Sequence, residues 1–444
     1  MKELIPLITR YFWFQIFKSF SNCTNTIVSS SASQLVSPSA QLSNPMVSIQ
    51  IPNSKSIIIF FLLCISHFTG AQTTQSLHRK AIVADGHNDV LSSSVLDGIN
   101  ISRRVTAGHS DLDRWKEGGL DVQFFSIWTD KTPRNKEGAF KDAMEEIDSL
   151  YSIVNRNADR MVLAKTYRDI MKGIKDEKLV ALIGVEGGHM IEDDMSKLEQ
   201  LYERGMRYLT LTWNNSIPWA SSAMDETNNP ANLAHKGLND FGRSVVKRMN
   251  ELGIIVDLSH TGEQTFYDAI ATTTKPVILS HSSVWAICPV FRNVKDDQIR
   301  AVARNGGVIC INFYSGFISK EYDKRADELG AMRREFMDSL LASNVDSATI
   351  RSQWRNFFRS EMKKVQPTLS QMVDHIDYIV KLVGDKHVGI GSDFDGVSSL
   401  PIGLEDVTTY PKITEELRRR GYSNKSIKRI LGGNVMRVIR ENLN

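Results

Sequence analysis

Histidine and carboxylate side chains stand at the points where apolar runs of this sequence stop. The first such run, "AIVADGHND", ends with His87 and Asp89, two residues apart. Because successive side chains of a strand point to opposite faces, these two residues and Asp85 are expected on one face. Imidazole and carboxylate groups side by side are typical ligands of zinc and similar divalent ions. The stretch therefore predicts part of a metal site.

Four later apolar runs end in the same residue types. Glu186 ends the third run, His260 the fifth, His281 the sixth and Asp393 the eighth. One ion needs three or four ligands, so this larger set suits two ions that share a carboxylate bridge. Five other histidines do not end apolar runs in this way, and we expect structural roles for them, with His189 as a candidate supporting residue: His109, His189, His235, His375 and His387.

The elements that would position these side chains alternate along the chain. Eight apolar runs rich in β-branched residues are separated by helical patterns such as "DAMEEIDSLYSIVNRN" and "LSQMVDHIDYIVKLV". Such alternation predicts an α/β fold with a parallel sheet covered on both faces. Eight repeats favour a (β/α)8 TIM barrel over an open doubly wound sheet. Long connections at 214–238 and 318–369 would then leave the carboxyl ends of strands, where barrel active sites are built.

The amino-terminal part of the chain differs from the rest. Residues 1–45 are interpreted as an upstream extension, because 20–45 are rich in Ser, Asn and Pro and lack periodicity. Residues 46–71 have a lysine, a short apolar run and a terminal alanine, the pattern of a secretory signal peptide. Residues 72–444 are predicted to be one catalytic domain. It retains Cys288 and Cys310, for which one disulfide or buried free thiols remain open.

Charge and composition exclude some partners. The 444 residues are 41% hydrophobic and carry a net charge of +3, without a basic stripe that carries interleaved aromatic residues. Nucleic acid is therefore not expected to bind. No G-x-G-x-x-G pattern opens a predicted helix, so a dinucleotide cofactor is not expected either.

Several segments together resemble one known family. They are, in chain order, "DGHNDV", "GVEGGH", "YLTLT", "DLSH", "LSHSS", "RNVKDDQI", "NFY" and "VGIGSDFDG". In this order and spacing, from about residue 80 to the end, they are similar to the membrane dipeptidase (renal dipeptidase) family of zinc peptidases, M19. The resemblance implies a metal-dependent hydrolase of the TIM-barrel type with two zinc ions per chain and a small dipeptide as substrate.

The resemblance also implies roles for individual residues. His87 and Asp89 would hold one zinc ion, His260 and His281 the other, and Glu186 would bridge the two ions, which would also share the attacking hydroxide. Asp393 would handle the proton of catalysis, and Arg292 would bind the substrate carboxylate. Trp213, Asn214 and Tyr314 are predicted to contact the substrate. Trp213 departs from the family, in which many members have a histidine at this position, and so the substrate range is left open.

Two other functions remain open at this stage. One is a different binuclear amidohydrolase acting on a small amide or lactone, and the other is a metal-retaining binding protein without catalysis. Arg292 favours a substrate with a free carboxylate, and Asp393 favours catalysis. The signal peptide and the polar end "RENLN" predict an exported, periplasmic or secreted and bacterial enzyme without a stable membrane anchor. A homodimer is left open.

Overall fold

The computed structural model describes residues 74–341 and 347–443. The predicted extension, 1–45, and the predicted signal peptide, 46–71, lie outside these described residues. Nine strands of the described part are all parallel and form one sheet. They are β1 (Ala84–Asp85), β2 (Val122–Ile127), β3 (Met161–Leu163), β4 (Leu179–Glu186), β5 (Met206–Thr210), β6 (Ile255–Asp257), β7 (Ile278–Leu279), β8 (Val308–Ile311) and β9 (Val388–Ile390).

Eight of these strands close into a barrel. The hydrogen-bonded order runs β2, β1, β9, β8, β7, β6, β5, β4, and β2 then pairs with β4 from Val122 opposite Val180 to Ile127 opposite Val185. The extra strand β3 pairs with the first residues of β4, from Met161 opposite Leu179. The eight barrel strands are those that the sequence predicts, and the (β/α)8 TIM barrel is confirmed.

Helices connect the strands. In chain order they are α1 (Leu112–Gly118), α2 (Ala139–Arg156), α3 (Tyr167–Lys175), α4 (Met195–Arg204), α5 (Ala223–Asn228), α6 (Asp240–Leu252), α7 (Glu263–Thr272), α8 (Asp296–Asn305), α9 (Ser315–Ile318), α10 (Lys320–Leu341), α11 (Ser347–Lys364), α12 (Leu369–Val383), α13 (Tyr410–Arg419), α14 (Asn424–Lys428) and α15 (Asn434–Leu443). Helix α12 begins where its sequence predicts, because Thr368 and Gln371 form a reciprocal capping box. None of the described helices combines the length and the apolar character needed to cross a membrane.

Alternate residues of the strands pack into two apolar layers. Inward-facing side chains such as Phe124, Leu182 and Tyr208 form one buried cluster, and the C-terminal helix α15 packs against it through Val435 and Val438. The side chains on the outer face of the strands pack against the surrounding helices in a second, larger cluster. The barrel interior is therefore filled with side chains at one end, which leaves the carboxyl end of the strands for the polar residues.

Two connections at the carboxyl end are long, as predicted. The connection after β5 contains the short helix α5, and the connection after β8 contains α9, α10 and α11. Cys288 and Cys310 are both buried free thiols, so the open question of their pairing is answered against a disulfide in this structure.

Candidate metal centre and active site

The predicted site residues meet at the carboxyl ends of the barrel strands. Glu186 is the last residue of β4, and the others follow their strands by two to four residues. Backbone hydrogen bonds join two of these loops, because Asp89 donates to the carbonyl of Phe394 and Asp393 donates to that of His87. All six side chains belong to buried residues: His87, Asp89, Glu186, His260, His281 and Asp393.

Glu186 lies at the centre of the cluster and faces all three histidines. Its Oε1 is 2.9 Å from Nε2 of His260 and 3.3 Å from Nε2 of His281, and its Oε2 is 3.5 Å from Nε2 of His87. Asp89 Oδ2 lies 3.3 Å from the same nitrogen of His87. Two groups of three, His87 with Glu186 and His281, and His87 with Asp89 and Asp393, have ligand atoms close enough to hold an ion. The two oxygens of one carboxylate thus point to different histidines.

The other ring nitrogen of each histidine already has a partner. His87 Nδ1 is 2.9 Å from the hydroxyl of Tyr208, and that hydroxyl donates to the carbonyl of Gly86. His260 Nδ1 is 2.9 Å from the side-chain oxygen of Asn214. Because these partners act as acceptors, each Nδ1 carries the proton and each Nε2 presents a lone pair.

The Nδ1 atom of His281 also faces a hydrogen-bond acceptor, which is held in place by a second hydrogen bond. Its Nδ1 is 2.8 Å from Ser280 Oγ, which itself donates to Asp257 Oδ2 at 2.6 Å. Asp257 also accepts hydrogen bonds from Thr210 Oγ1 and from two backbone amides, so its carboxylate is fixed in place. The serine oxygen is left as the acceptor for His281, which again directs the Nε2 lone pair towards Glu186.

A cation fits this arrangement better than protein atoms alone. The Nε2 atoms of His260 and His281 lie 3.0 Å apart, and Nε2 of His87 is buried without a hydrogen-bond partner. Three lone pairs that converge on two carboxylates repel one another unless positive charge lies between them. Orientation of ligand histidines by a second hydrogen bond is typical of metal centres. The donor set therefore fits divalent metal ions.

The charges of His260, His281 and Glu186 agree with this interpretation. Burial would lower the pKa of His87, but the neighbouring Tyr208, Asp89 and Glu186 raise it well above its usual value, so a metal ion would have to displace a proton from this imidazole. Burial, followed by the nearby Arg292, lowers the pKa of His260 to about 4. Burial, followed by the neighbouring His87, also lowers the pKa of His281 well below its usual value. Burial alone would raise the pKa of Glu186, but the adjacent histidines hold it well below its usual range. A neutral imidazole and an ionised carboxylate are the forms that bind metal.

Asp393 differs from the other carboxylates of the site. Burial, followed by the negative charge of Asp89, raises the pKa of Asp393 well above its usual value. The side-chain NH2 group of Asn312 donates to Oδ2 of Asp393 at 2.7 Å. The side-chain oxygen of Asn312 accepts a hydrogen bond from the backbone N–H of Tyr314. The Asp393 carboxyl group is therefore held in one orientation and prefers to retain a proton in the metal-free protein.

The backbone is unusual at two of these positions. His260 has φ +63° and Asp393 has φ +60°, in the left-handed region that non-glycine residues rarely adopt. Such a conformation costs about 1–3 kcal/mol and is found where a site requires it. Both residues lie three positions after a strand end, and both line the cavity at the barrel mouth.

Two glycines allow β1 and β9 to approach the backbone after β7 beneath the site. A Cβ atom at Gly86 would lie 2.6 Å from the carbonyl oxygen of Ser280, and one at Gly391 would lie closer still to the same atom. Both separations are shorter than the contacts that real Cβ atoms make with neighbouring atoms. The strands that carry His87 and Asp393 therefore approach the strand that carries His281 through backbone alone.

A cavity of about 460 Å³ opens above the cluster. Arg292 forms part of its wall, where it is buried and donates to the carbonyl of His281 at 3.2 Å while its guanidinium lies 5.4 Å from the ring centre of Phe317. Burial lowers the pKa of Arg292 to about 10, so the group remains charged at neutral pH. Its charge has no carboxylate partner among the described ion pairs, unlike Arg114 and Arg134.

The three predicted substrate contacts also line this cavity. Trp213 packs edge-on against Trp128, with 5.2 Å between ring centres. Tyr314 packs edge-on against Phe317 at 4.9 Å. The side-chain oxygen of Asn214 is occupied by His260, which gives this residue a supporting contact that the sequence did not reveal.

Several supporting residues could not be recognised in the sequence. Tyr208 lies within β5 and looks like an ordinary member of a buried sheet, and Asp257 ends β6 as the predicted ligands end their strands, so only the folded structure reveals their contacts with the histidines. Asp85, which was expected on the face of His87, instead accepts hydrogen bonds from Ser392 and Tyr410 and lies outside the candidate metal groups. The predicted metal ligands and Asp393 are brought together, and their roles remain predictions.

Comparison with known proteins places this geometry in a wider context. A family model described as membrane dipeptidase (peptidase family M19) matches residues 71–444. Among solved structures, the chain is similar to the probable dipeptidase PvdM from Pseudomonas aeruginosa, with 25% identity, a TM-score of 0.71, and coverage of 84% of this chain and 98% of that one. It is also similar to a metallo peptidase from Rhodobacter sphaeroides liganded with a phosphinate mimic of the dipeptide L-Ala-D-Ala, with 22% identity, a TM-score of 0.65, and coverage of 82% and 100%.

Proposed function

We infer that this chain, which belongs to the membrane dipeptidase family (peptidase family M19) and is a dipeptide-hydrolysing enzyme, works with two metal ions held by five of its side chains. His87 and Asp89 would hold one ion, His260 and His281 would hold the other, and Glu186 would contribute one oxygen to each. Zinc suits this set, because imidazole nitrogens and carboxylate oxygens are its common ligands in proteins.

One observation carries this proposal: the position of Glu186 between three histidines. Its Oε1 is near His260 and His281, and its Oε2 is near His87. A carboxylate that served a single ion would not need histidines at both oxygens. The arrangement is what a bridge between two ions requires.

Metal ions bound here would lower the pKa of a water molecule and polarise the carbonyl of the peptide bond. The chain's own residues would do the rest. Arg292 would bind the C-terminal carboxylate of the dipeptide, because its buried guanidinium can donate two parallel hydrogen bonds. Trp213 and Tyr314 would enclose the side chains of the substrate and exclude bulk water.

Asp393 would hold and move the proton. Asn312 fixes Oδ2, while a Cβ at Gly396 would contact both Oδ1 of Asp393 and Oδ2 of Asp89, so Oδ1 lies on the side of Asp89. Asp393 would accept the proton of the attacking water at this oxygen and return it to the leaving amine. Its fixed orientation serves both transfers without movement of the backbone.

The test is hydrolysis of matched L,L- and L,D-dipeptides by zinc-loaded protein, with metal content measured in the same samples. We expect about two ions per chain and turnover of free dipeptides. Arg292→Ala should raise KM for a free dipeptide and change it much less for the C-terminally amidated form. Equal losses on both substrates would contradict the carboxylate contact, and turnover of amides or lactones without a free carboxylate would favour another amidohydrolase function.

The bridging role has its own control. Glu186→Gln should lose or loosen both ions, because the bridge loses its charge. Glu199→Gln removes a carboxylate from a surface ion pair with Arg248 and should leave the metal content unchanged. Full metal content in Glu186→Gln would exclude the bridge.

Export is proposed as well, on the pattern of residues 46–71. The mature protein should then begin near Gln72. N-terminal sequencing of the mature protein that finds residues 1–45 still attached would refute this.

A further inference from the structure

A second and larger cavity, of about 920 Å³, lies beside the catalytic cavity. One wall is formed by α10 and α11 of the long connection after β8, and the other by the loop of residues 398–401 after β9. Ser398 lines both cavities. The volume is about twice that of the catalytic cavity, and nothing in the hydrolysis of a simple dipeptide requires it.

Four cations of α11 line this second cavity at a spacing of four residues. They form what we call the cationic stripe: Arg351, Arg355, Arg359 and Lys363. Residues four apart lie on one face of a helix, where like charges repel one another and destabilise the helix. All four side chains are exposed, and none forms an ion pair with another described residue. Neighbouring Arg325 and Lys364 are by contrast paired with Glu361.

An apolar stripe runs beside the cationic one on the same helix, so the structure reveals a basic stripe with aromatic neighbours that was not expected from the sequence. Trp354, Phe358 and Met362 line the cavity, and Trp354 and Met362 are buried. Tyr322 of α10 contributes to the same small apolar cluster. One carboxylate, Glu405, also lines the cavity, but it is paired with Lys412 at 3.2 Å. The cavity thus offers a net positive charge and an apolar, partly aromatic surface. A ligand that fits both has an apolar part that ends in an anion.

A continuous row of aromatic rings leads from the catalytic site to this cavity. The guanidinium of Arg292 lies over Phe317, Phe317 packs against Tyr314 at 4.9 Å, and Tyr314 lies 6.4 Å from Tyr322. Tyr314 lines the catalytic cavity, and Tyr322 lines the second one. These rings, with Ser398 common to both cavities, form a wall that extends from Arg292 to the second cavity.

We propose that the second cavity is a specificity site for substrates whose C-terminal residue carries a long side chain with an apolar part and a terminal anionic group. This proposal rests on the proposed function, because it takes Arg292 as the contact for the substrate carboxylate. Carboxylate, phosphate and sulfate all qualify as the anion, since the cationic stripe recognises charge. The helical connection after β8 then determines which dipeptides are preferred, while the barrel performs the hydrolysis.

Two matched substrates test the proposal. Both are L-Ala-L-Lys, with a 4-carboxybenzoyl group on the lysine Nε atom in one and a neutral benzoyl group in the other. We expect the intact enzyme to prefer the anionic substrate by about five- to tenfold in kcat/KM, where tenfold equals about 1.4 kcal/mol. Salt at about 0.5 M should reduce the preference, because the charges of the stripe are exposed.

The variant Arg355→Gln/Arg359→Gln should remove most of this preference and leave the neutral substrate unaffected. It removes like charges from the helix, so no loss of folding is expected. Lys425→Gln/Lys428→Gln is the matched control: it removes the same charge from an exposed helix that lines neither cavity, and it should keep the full preference. Equal preference in all three proteins would overturn the proposal.

Binding measurements separate this proposal from the proposed function. Calorimetry with both compounds would show the charge preference even if neither were hydrolysed, and in that case only the dipeptidase mechanism would fail. Free 4-carboxybenzamide is the third probe. If this compound bound at the cationic stripe while the two dipeptides bound and reacted equally well, the cavity would bind an anion other than the substrate. The substrate proposal would then be wrong.

Discussion

Tyr208→Phe should weaken metal binding although the tyrosine is not among the predicted ligands. Its hydroxyl lies 2.9 Å from His87 Nδ1 and donates to the carbonyl of Gly86, and burial raises its pKa, so the phenol stays neutral. Without this acceptor, the His87 N–H is left buried and unpaired, which costs about 1–3 kcal/mol. The alternative, a proton on Nε2, would block the ligand atom itself. Loss of such a supporting contact typically lowers metal affinity about 10–100-fold.

The measurement is the apparent dissociation constant for zinc, from competition with a chelator of known affinity. Phenylalanine fills the same volume against Phe124, whose ring centre is 4.8 Å away, so packing should be retained. Tyr378→Phe is the matched control, because it removes the same atom from a hydroxyl that bonds Asp296 on the outer helices. A change below about twofold in Tyr208→Phe, or equal changes in both variants, would refute the reasoning.

Three further outcomes are expected. Asp393→Asn should keep its metal ions and lose at least about 100-fold in kcat, because an amide cannot accept the proton; normal turnover with full metal content would contradict the proton role. Trp213→Phe should leave kcat nearly intact and shift the preference among dipeptide side chains, because the ring forms a wall against Trp128; a kcat loss above about tenfold would instead assign the indole N–H to the reaction. Burial raises the pKa of Asp121 to about 6, above its pKa of about 4 in the unfolded chain. The stability that the protonated side chain provides is therefore complete below pH 4 and is lost as the pH rises through 6. Asp121→Asn should therefore raise the free energy of unfolding by about 1–2 kcal/mol at pH 8, after a discount for partial exposure, and by little at pH 4; urea unfolding at both pH values measures this, and an equal change at both would exclude the ionisation effect.

The barrel could be predicted because its strands carry a strong local signal. Each of the eight runs is largely apolar and ends in polar residues, as in "LVALIGVE", whose last residue is Glu186. Strand β3 was missed, since its three residues, "MVL", are too few to show any period. The site residues could be predicted for the same reason as the strands, because the fold gathers strand ends at one mouth.

The supporting contacts could not be predicted, because they depend on the register between strands that are distant in sequence. Tyr208 meets His87 across 121 positions, and Asn312 meets Asp393 across 81. Asp257 resembles the other acidic strand ends, yet it bonds Ser280 and orients His281. Residue type and spacing identify which groups can bind a metal, and only the folded neighbours decide which of them do so.

The close backbone approach at Gly86 and Gly391 limits how this enzyme can change. Any larger residue at either position would meet the Ser280 carbonyl and force these strands apart at the level of the predicted ligands. The distance between the two halves of the centre is thus set by main chain, whereas the walls around Trp213 and Tyr314 are side chains on loops. Mutation can therefore change the walls of the cavity far more easily than the spacing of the predicted ligands and Asp393.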